Sequence, residues 1–276
     1  MATAPTKPTT AKKESTGSNI FASLAMVICI VIGFLLWKFV MGNPSNFEGG
    51  DAENGHPLSG NYFGMVYKGG FIVPILIGML LMVIVFSIER FLVINKAAGT
   101  GNVDVFVKKV QNFLSAGNIE AAMAECDKQK GSVANVIKSG LKKYKEVESD
   151  QIMDTEQKCL AIQKDIEEAT ALEMPMLEQN LTIIATLVSI GTLMGLLGTV
   201  TGMIKAFGSL ATAGAPDQAQ LANGISEALI NTATGILTSA LAIIMYNIFT
   251  SKIDKLTYSI DEAGFSIVQT YASTHK

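Results

Sequence analysis

Residues 221–249 read LANGISEALINTATGILTSALAIIMYNIF, an apolar run long enough to cross a bilayer as one helix, and Glu227 is its only charged residue. A helix turns about 100° per residue, so six polar side chains, five of this run and that of the residue before it, share one face. They are Gln220, Asn223, Glu227, Asn231, Thr234 and Thr238. Because ionised side chains are costly inside a membrane and usually mark an ion pathway, we predict a functional role for Glu227.

A purely structural role for Glu227 is the alternative. Removal from water favours the neutral carboxyl, which could then hydrogen-bond to Asn231 or to a neighbouring helix. The same property suits a group that takes up and releases protons near neutral pH. The residues by themselves leave both interpretations open.

The composition is that of an integral membrane protein. Of the 276 residues, 49% are hydrophobic and 16% are charged, against about 25% charged in soluble domains. We therefore predict an all-α, polytopic transmembrane protein whose long helices extend into a cytoplasmic helical domain. The formal net charge is −3 and no basic face alternates with aromatic residues, so no nucleic-acid partner is expected.

The residue types that carry enzyme chemistry form no recognisable site in the sequence. Cys29, Cys126 and Cys159 are far apart and odd in number, which argues against a disulfide framework or a metal-binding pair. His56 and His275 have no metal-ligand spacing. We expect no metal, no cofactor and no enzymatic activity, because no nucleophile and base can be paired.

Composition shifts divide the chain into segments. A disordered tail is predicted at 1–18, an extra N-terminal transmembrane helix at 19–41, a periplasmic loop at 42–70 and a transmembrane helix at 71–94. A cytoplasmic helical domain follows at 95–179, with Val105, Val110, Phe113, Leu114, Ile162 and Ile166 as its apolar positions. Pore-lining transmembrane helices are predicted at 180–210 and 221–250, joined by a periplasmic loop at 211–220, and a cytoplasmic C-terminal helix at 251–276.

The stretch at 19–41 could also be a cleaved signal peptide. Its apolar part exceeds the usual length of about 7–15 residues and no small-residue cleavage site follows, so a retained helix is favoured. Lysines concentrate in the tail, the central domain and the C-terminal segment, whereas the two other loops are poor in Lys and Arg. The positive-inside rule then places both termini and the central domain in the cytoplasm.

The predicted helix at 180–210 carries small residues and a thin polar line. Gly191 and Gly195 form one GxxxG pair, and Gly198 and Gly202 form another, which indicates close helix packing inside an oligomer. Thr192 and Thr199 lie on one face and suggest a lumen shared with the Glu227 helix. Each threonine could instead bond to the carbonyl four residues before it.

Three blocks of the sequence resemble the ExbB/TolQ/MotA family, and ExbB and TolQ most closely. They are SIERFLVINKA at 87–97, LMGLLGTVTGMIKAFGSL at 193–210 and LANGISEALINTATGILTSALAIIMYN at 221–247. The resemblance implies a homopentamer around single-span helices of an ExbD/TolR-type partner, which supplies the essential aspartate. It also implies the bacterial inner membrane and a TonB-like protein as a further partner.

The resemblance assigns the family's membrane carboxylate to Glu227 and its two lumen threonines to Thr199 and Thr232. Thr232 does not share the face of Glu227. It follows Glu227 by five residues and therefore points about 140° away from it on an ideal helix. Asn231 and Thr234 add hydrogen-bonding groups where relatives are often apolar, and Gly191-Thr192 replaces a frequent Ala-Pro. The predicted proton pathway thus comprises Glu227, Thr199, Thr232, Asn231, Thr234 and Thr192.

The function implied by the resemblance is that of a proton-driven motor, or stator. TonB-dependent transport across the outer membrane is the favoured process. The alternatives are a TolQ-like stator for envelope maintenance, a gliding-motility stator, and a structural membrane scaffold that conducts nothing.

Overall fold

The computed structural model describes residues 15–53, 55–212 and 218–275. The predicted tail at 1–18 lies outside the described residues up to residue 14, and the predicted loop at 211–220 lies outside them at 213–217. Within the described ranges no β-strand forms; the one β-type contact is an isolated bridge between Phe47 and Pro57.

Nine α-helices account for most of the described chain. Their bounds are α1 Ser15–Leu35, α2 Tyr62–Tyr67, α3 Ile72–Ala98, α4 Val103–Ser115, α5 Ile119–Gln129, α6 Gly131–Glu148, α7 Thr155–Glu178, α8 Leu181–Thr212 and α9 Gln218–Thr274. A π-helical turn, Leu36–Met41, continues α1, and short 3₁₀ turns occupy Pro44–Asn46 and Glu48–Gly50.

Four helical stretches of the described residues are long and apolar enough to cross a membrane. They are Ile20–Met41, Ile72–Ser115, Thr155–Gly208 and Leu221–Thr274. The predicted all-α, polytopic fold class is therefore confirmed. The segment boundaries given above, including the membrane limits along these helices, stay predictions.

The chain forms two compact units. The first comprises residues up to Met82 together with Gly191–Thr238, and the second comprises Val83–Ile190 and Ser239–Lys276. The long helices α3, α8 and α9 each contribute to both units.

In the first unit, α1 packs closely against the start of α3. A Cβ atom built at Gly33 would lie 2.8 Å from the backbone nitrogen of Gly78, and one at Gly78 would lie 3.0 Å from the Cα of Ile30. Trp37 stacks on Tyr67 with ring centroids 4.7 Å apart, and its indole nitrogen donates to the Tyr67 carbonyl. The extra N-terminal helix is thus anchored to the loop that precedes α3.

In the second unit, α4 to α7 and the C-terminal part of α9 enclose a core. Four of the apolar positions named from the sequence, Val110, Leu114, Ile162 and Ile166, are buried in it. Val105, another of these apolar positions, is 51% exposed. It lies about 140° round α4 from Val110, on the solvent side of the helix.

A buried arginine fixes the end of α7. Arg90 is 1% exposed and donates to the carbonyls of Met176 and Leu177, at 3.1 and 3.2 Å. Its guanidinium also pairs with Glu89, which accepts from the amide of Asn180. These charge-assisted bonds satisfy carbonyls that a helix end leaves without partners, so the break between α7 and α8 is well defined.

A charge cluster on α4 and α5 also stabilises the second unit. Glu125 accepts from Lys109 at 2.7 Å and from Lys128 at 3.1 Å. These hydrogen bonds hold the pKa of the Glu125 carboxyl below its usual range.

The three cysteines, Cys29, Cys126 and Cys159, are free.

Candidate functional site: a polar cluster on the α8–α9 hairpin

Small residues bring α8 and α9 together as antiparallel neighbours in the first unit. A Cβ atom built at Gly195 would lie 3.1 Å from the Cα of Gly235, and one at Gly202 would lie 2.9 Å from the Gly224 carbonyl oxygen. The Gly191 carbonyl oxygen lies 2.7 Å from a Cβ built at Gly235. The predicted packing glycines therefore face a helix of the same chain; packing of these glycines between subunits stays a prediction.

Glu227 forms an ion pair with a lysine of the neighbouring helix. The Lys205 ammonium lies 2.8 Å from the Glu227 carboxylate oxygen Oε1. The Glu227 side chain is 13% exposed, whereas that of Lys205 is 62% exposed. The sequence argument had treated Glu227 as an unpaired group.

The loop before α3 supplies the surface on which the Glu227 carboxylate rests. A Cβ atom at Gly70 would lie 2.8 Å from the Glu227 Cδ atom, so a larger residue has no space there. Gly70 also has a φ of +79°, which favours glycine. Turn geometry and the need for space therefore both require glycine at this position.

Asn231 is fully buried one turn further along α9. Its amide nitrogen donates to the Gly69 carbonyl at 2.9 Å, and its Oδ1 atom has no hydrogen-bond partner among the residues that the structure describes. A Cβ atom at Gly198 would lie 2.6 Å from its Cγ. From its position on α9, Asn231 thus contacts both α8 and the loop before α3.

Thr199 and Thr232 contact each other between the two helices. Their hydroxyl groups are within hydrogen-bonding distance of each other, and each is also within reach of a carbonyl of its own helix, at Gly195 and Ala228. Because a hydroxyl has one proton, one threonine donates to the other and the second donates to its carbonyl. Thr232 lies about 140° round α9 from Glu227, which turns it towards α8. The 140° angle between Glu227 and Thr232, noted from the sequence, therefore allows Thr232 to contact Thr199.

The remaining predicted polar residues lie apart from this contact. Thr234 is half-buried and donates to the Ile230 carbonyl four residues before it, and the buried Thr238 donates likewise to Thr234. Thr192 is exposed on α8. Their place in a proton pathway stays a prediction.

Sequence reasoning missed Lys205, Gly69 and Gly70. A signal for Lys205 was present, because it is the only charged residue in the predicted helix 180–210, as Glu227 is in 221–250. Lys205 and Glu227 are separated from the predicted loop at 211–220 by similar numbers of residues. Nothing in the sequence marked Gly69 and Gly70 among the many glycines of their loop.

A cleft opens beside the start of α9. It is lined by loop residues and by two α9 residues: His56, Pro57, Leu58, Ser59, Gly60, Met65, Lys68, Asn223 and Ser226. Asn223 lies one turn before Glu227, so the cleft leads close to the ion pair. Burial lowers the pKa of the Lys68 ammonium, and the nearby Asp51 and Glu53 act in the opposite direction.

The outer faces of the hairpin are apolar and exposed in the single chain. On α8 these side chains include Leu193, Leu196, Leu197, Val200, Ile204 and Phe207, and on α9 they include Ile225, Leu229, Ile236 and Leu237. Such faces require lipid or other apolar helices around them. The polar cluster is thus confined between the helices and beside the loop.

Comparisons with known proteins agree with the resemblance. Residues 128–262 match the MotA/TolQ/ExbB proton channel family. A putative biopolymer transport protein, ExbB-like 3, from Synechocystis is 34% identical over 88 residues, covering 31% of this chain and 42% of that relative. The Tol-Pal system protein TolQ of Pseudomonas aeruginosa is 32% identical over 124 residues, covering 45% and 54%. The biopolymer transport protein ExbB of Salmonella typhimurium is 32% identical over 85 residues, covering 31% and 35%.

The chain thus matches about half, or less, of the length of these relatives. The matched family region contains α6, α7, α8 and most of α9, with Thr199, Thr232, Lys205 and Glu227 inside it. With four helices of membrane length, the chain is a multi-pass membrane protein, and its residues 128–262 belong to the MotA/TolQ/ExbB proton channel family.

Proposed function

We propose that this protein is an ExbB-like subunit of a proton-driven motor in the bacterial inner membrane. With an ExbD-type partner, it couples the proton-motive force to TonB-dependent transport across the outer membrane. Both termini and the central helical domain lie in the cytoplasm. The observation that carries the proposal is the cluster of Glu227, Lys205, Thr199 and Thr232 on the hairpin of two membrane-length helices inside the family region.

A single chain leaves the outer faces of the α8–α9 hairpin uncovered. The Thr199 and Thr232 hydroxyls meet between α8 and α9, and large apolar side chains are exposed on the outer faces of both helices. A ring of five copies would bring the α8–α9 hairpins together around a central pore. We propose that the pore holds single-span helices of an ExbD/TolR-type partner, which engages a TonB-like protein outside the membrane.

The partner's aspartate is the group that carries protons in this proposal. Each proton that crosses the membrane releases about 2.3 kcal/mol per 100 mV. Protonation neutralises the aspartate, which then leaves a polar site near Thr199 and Thr232 for a less polar one. Glu227 and the threonines set the free-energy difference between the two sites, and repeated release shifts or rotates the partner inside the ring.

A TolQ-like role in envelope maintenance is the second candidate. It is favoured by the Pseudomonas aeruginosa TolQ, whose match extends over 124 residues. The two roles use the same ring and the same polar cluster, and they differ in the partner's periplasmic domain. Gliding motility and a scaffold that conducts nothing are the remaining alternatives.

The test begins with a pulldown of the full chain with an ExbD/TolR-type single-span protein from the same genome. The complex is then reconstituted in vesicles, and proton uptake is followed with a pH-sensitive dye under an applied potential. We expect Glu227→Ala and Glu227→Gln to assemble with the partner but to lower proton uptake at least tenfold. Glu156→Gln, on the exposed start of α7, is the matched control and should conduct as wild type does.

Cell assays then separate the candidate processes. Loss of siderophore uptake in Glu227→Ala cells supports the TonB-dependent role, whereas sensitivity to detergents with normal uptake supports the TolQ-like role. If the wild-type complex assembles but conducts no protons, the ring is a scaffold. A fully active Glu227→Gln protein would remove protonation of Glu227 from the mechanism.

A further inference from the structure

One turn of the loop before α3 forms part of the wall of the polar cluster. Its Gly69 carbonyl accepts from the Asn231 amide at 2.9 Å, and a Cβ atom built at Gly70 would lie 2.8 Å from Cδ of Glu227. A Cβ atom built at Gly69 would lie 3.1 Å from Cγ2 of Ile230. The turn therefore meets three residues of α9, and its position determines whether the Asn231 hydrogen bond can form.

Tyr67, the last residue of α2, lies shortly before this turn and is itself held by Trp37 of the N-terminal helix. The Tyr67 carbonyl accepts from the Gly70 amide at 3.4 Å and from the Trp37 indole nitrogen at 3.2 Å. The rings of Trp37 and Tyr67 stack with centroids 4.7 Å apart, and the Phe47 ring meets the Tyr67 ring edge to face. Trp37 thus contacts a residue only two positions before the carbonyl that accepts from Asn231.

Asparagine side chains join the end of the N-terminal helix to the start of α2. The buried Asn46 donates to the carbonyls of Val40 and Met41, both at 2.9 Å. Carbonyls at a helix end lack partners within the helix, so these bonds define where the N-terminal helix ends. Asn61 donates to Asn46 Oδ1 at 3.0 Å and accepts from the Gly64 amide at 3.1 Å. The helix α2 is therefore held at its start by the asparagines and at its end by the stacked rings.

Resting on the proposed function, we propose that Trp37 is a positioning residue for the polar cluster. By holding Tyr67, it keeps the Gly69–Gly70 turn at the distance at which the Asn231 amide can donate to it. The extra N-terminal helix, which packs on α3, thus supports the α8–α9 hairpin through the loop and takes part in proton coupling. Loss of this support leaves Asn231 without the acceptor that holds it at the contact with α8.

Hydrogen exchange of the Asn231 side-chain amide tests the positioning directly. The full chain, labelled with nitrogen-15 asparagine, is studied by solid-state NMR in lipid bilayers, and the Asn231 signal is identified by its absence in Asn231→Ala. We expect slow exchange with D₂O in the wild type, because the amide is buried and bonded, and exchange at least tenfold faster in Trp37→Ala. The amide of Asn180, buried in the second unit, should be unchanged in the same spectrum, which separates a local change from general loosening.

Two variants at the same helix end serve as controls. Trp37→Phe keeps an aromatic ring against Tyr67 and loses the indole donor, so exchange at Asn231 should stay within threefold of the wild type. Phe39→Ala removes an aromatic side chain that is exposed, and it should change neither the exchange nor the transport rate.

Proton uptake by the reconstituted complex tests the consequence. Trp37→Ala should lower the rate at least fivefold, whereas Trp37→Phe should retain at least half of it. Because Trp37 acts through the hydrogen bond of Asn231, the double variant Trp37→Ala/Asn231→Ala should conduct within twofold of Asn231→Ala alone. The effects of two independent structural defects would instead multiply.

A wild-type exchange rate at Asn231 in Trp37→Ala would overturn the inference, and so would multiplied defects in the double variant. If Trp37→Ala fails to fold, Trp37→Leu keeps apolar bulk but lacks the ring and the donor, and the same results are expected of it. The exchange measurement does not depend on transport. A wild-type complex that conducts no protons would refute the proposed function, while faster exchange in Trp37→Ala would still support the positioning role.

Discussion

Gly198→Ala is the substitution whose effect follows most directly from the packing of the hairpin. A Cβ atom at Gly198 would lie 2.6 Å from Cγ and 2.8 Å from Nδ2 of Asn231. Both distances are shorter than van der Waals contact, and Asn231 is fully buried. The asparagine would have to move, and its 2.9 Å hydrogen bond to the Gly69 carbonyl would be lost or lengthened.

The size of the effect has two parts. Overfilling a packed interior typically costs about 1–3 kcal/mol. A hydrogen bond between helices in a membrane contributes on average about 0.6 kcal/mol and at most about 1.7. We therefore expect Gly198→Ala to lower the free energy of unfolding by about 2–4 kcal/mol relative to the same change at an open site.

Gly208→Ala provides that open site. It lies on the same helix, and a Cβ atom there meets no described residue within 4 Å. Replacing glycine by alanine in a helix is by itself favourable by up to about 1 kcal/mol, and the control cancels this gain. Unfolding of the full chain in bicelles, measured by steric trapping or by titration with a denaturing detergent, gives the difference between the two variants.

The double variant Gly198→Ala/Asn231→Ala sharpens the test. It loses the hydrogen bond to Gly69 only once, so its destabilisation should be smaller than the sum of the two single changes. If Gly198→Ala is as stable as Gly208→Ala, or if the two changes are additive, the packing of Asn231 described here is refuted.

Two further predictions concern the second unit. Arg90→Met removes the donors to the two carbonyls at the end of α7 and the charge that pairs with Glu89, so the free energy of unfolding should fall by about 2–4 kcal/mol. A denaturation midpoint within error of the wild type would contradict this. Glu125→Gln removes a carboxylate whose pKa is lowered by Lys109 and Lys128. A lowered pKa stabilises the fold above the unfolded value near 4.3, and this stabilisation is lost as the pH falls through the folded pKa. Because the lysines are exposed, the deficit at pH 7 should be only about 0.5–1 kcal/mol, and thermal melts at pH 7 and pH 3 should show it shrinking; an equal deficit at both would refute the pairing.

The hydropathy pattern was enough to predict the four membrane-length helices, because burial against lipid requires long apolar runs whatever their neighbours are. The pattern was also enough to single out Glu227, since a charge in such a run is conspicuous. Val105 is apolar yet exposed, so the residue type alone does not indicate whether a side chain is buried. Only its angle to Val110 around α4 decides that it faces solvent.

The sequence by itself determined the fold class, the polar face around Glu227 and the family resemblance. These depend on composition and on spacing along one helix, where each residue adds a fixed rise and rotation. Only the tertiary structure decided which partners those polar residues have. It paired Glu227 with Lys205, joined Thr199 to Thr232 and buried Asn231 against the loop before α3. Such contacts depend on the register of two antiparallel helices and on a turn distant in sequence, which local periodicity does not contain.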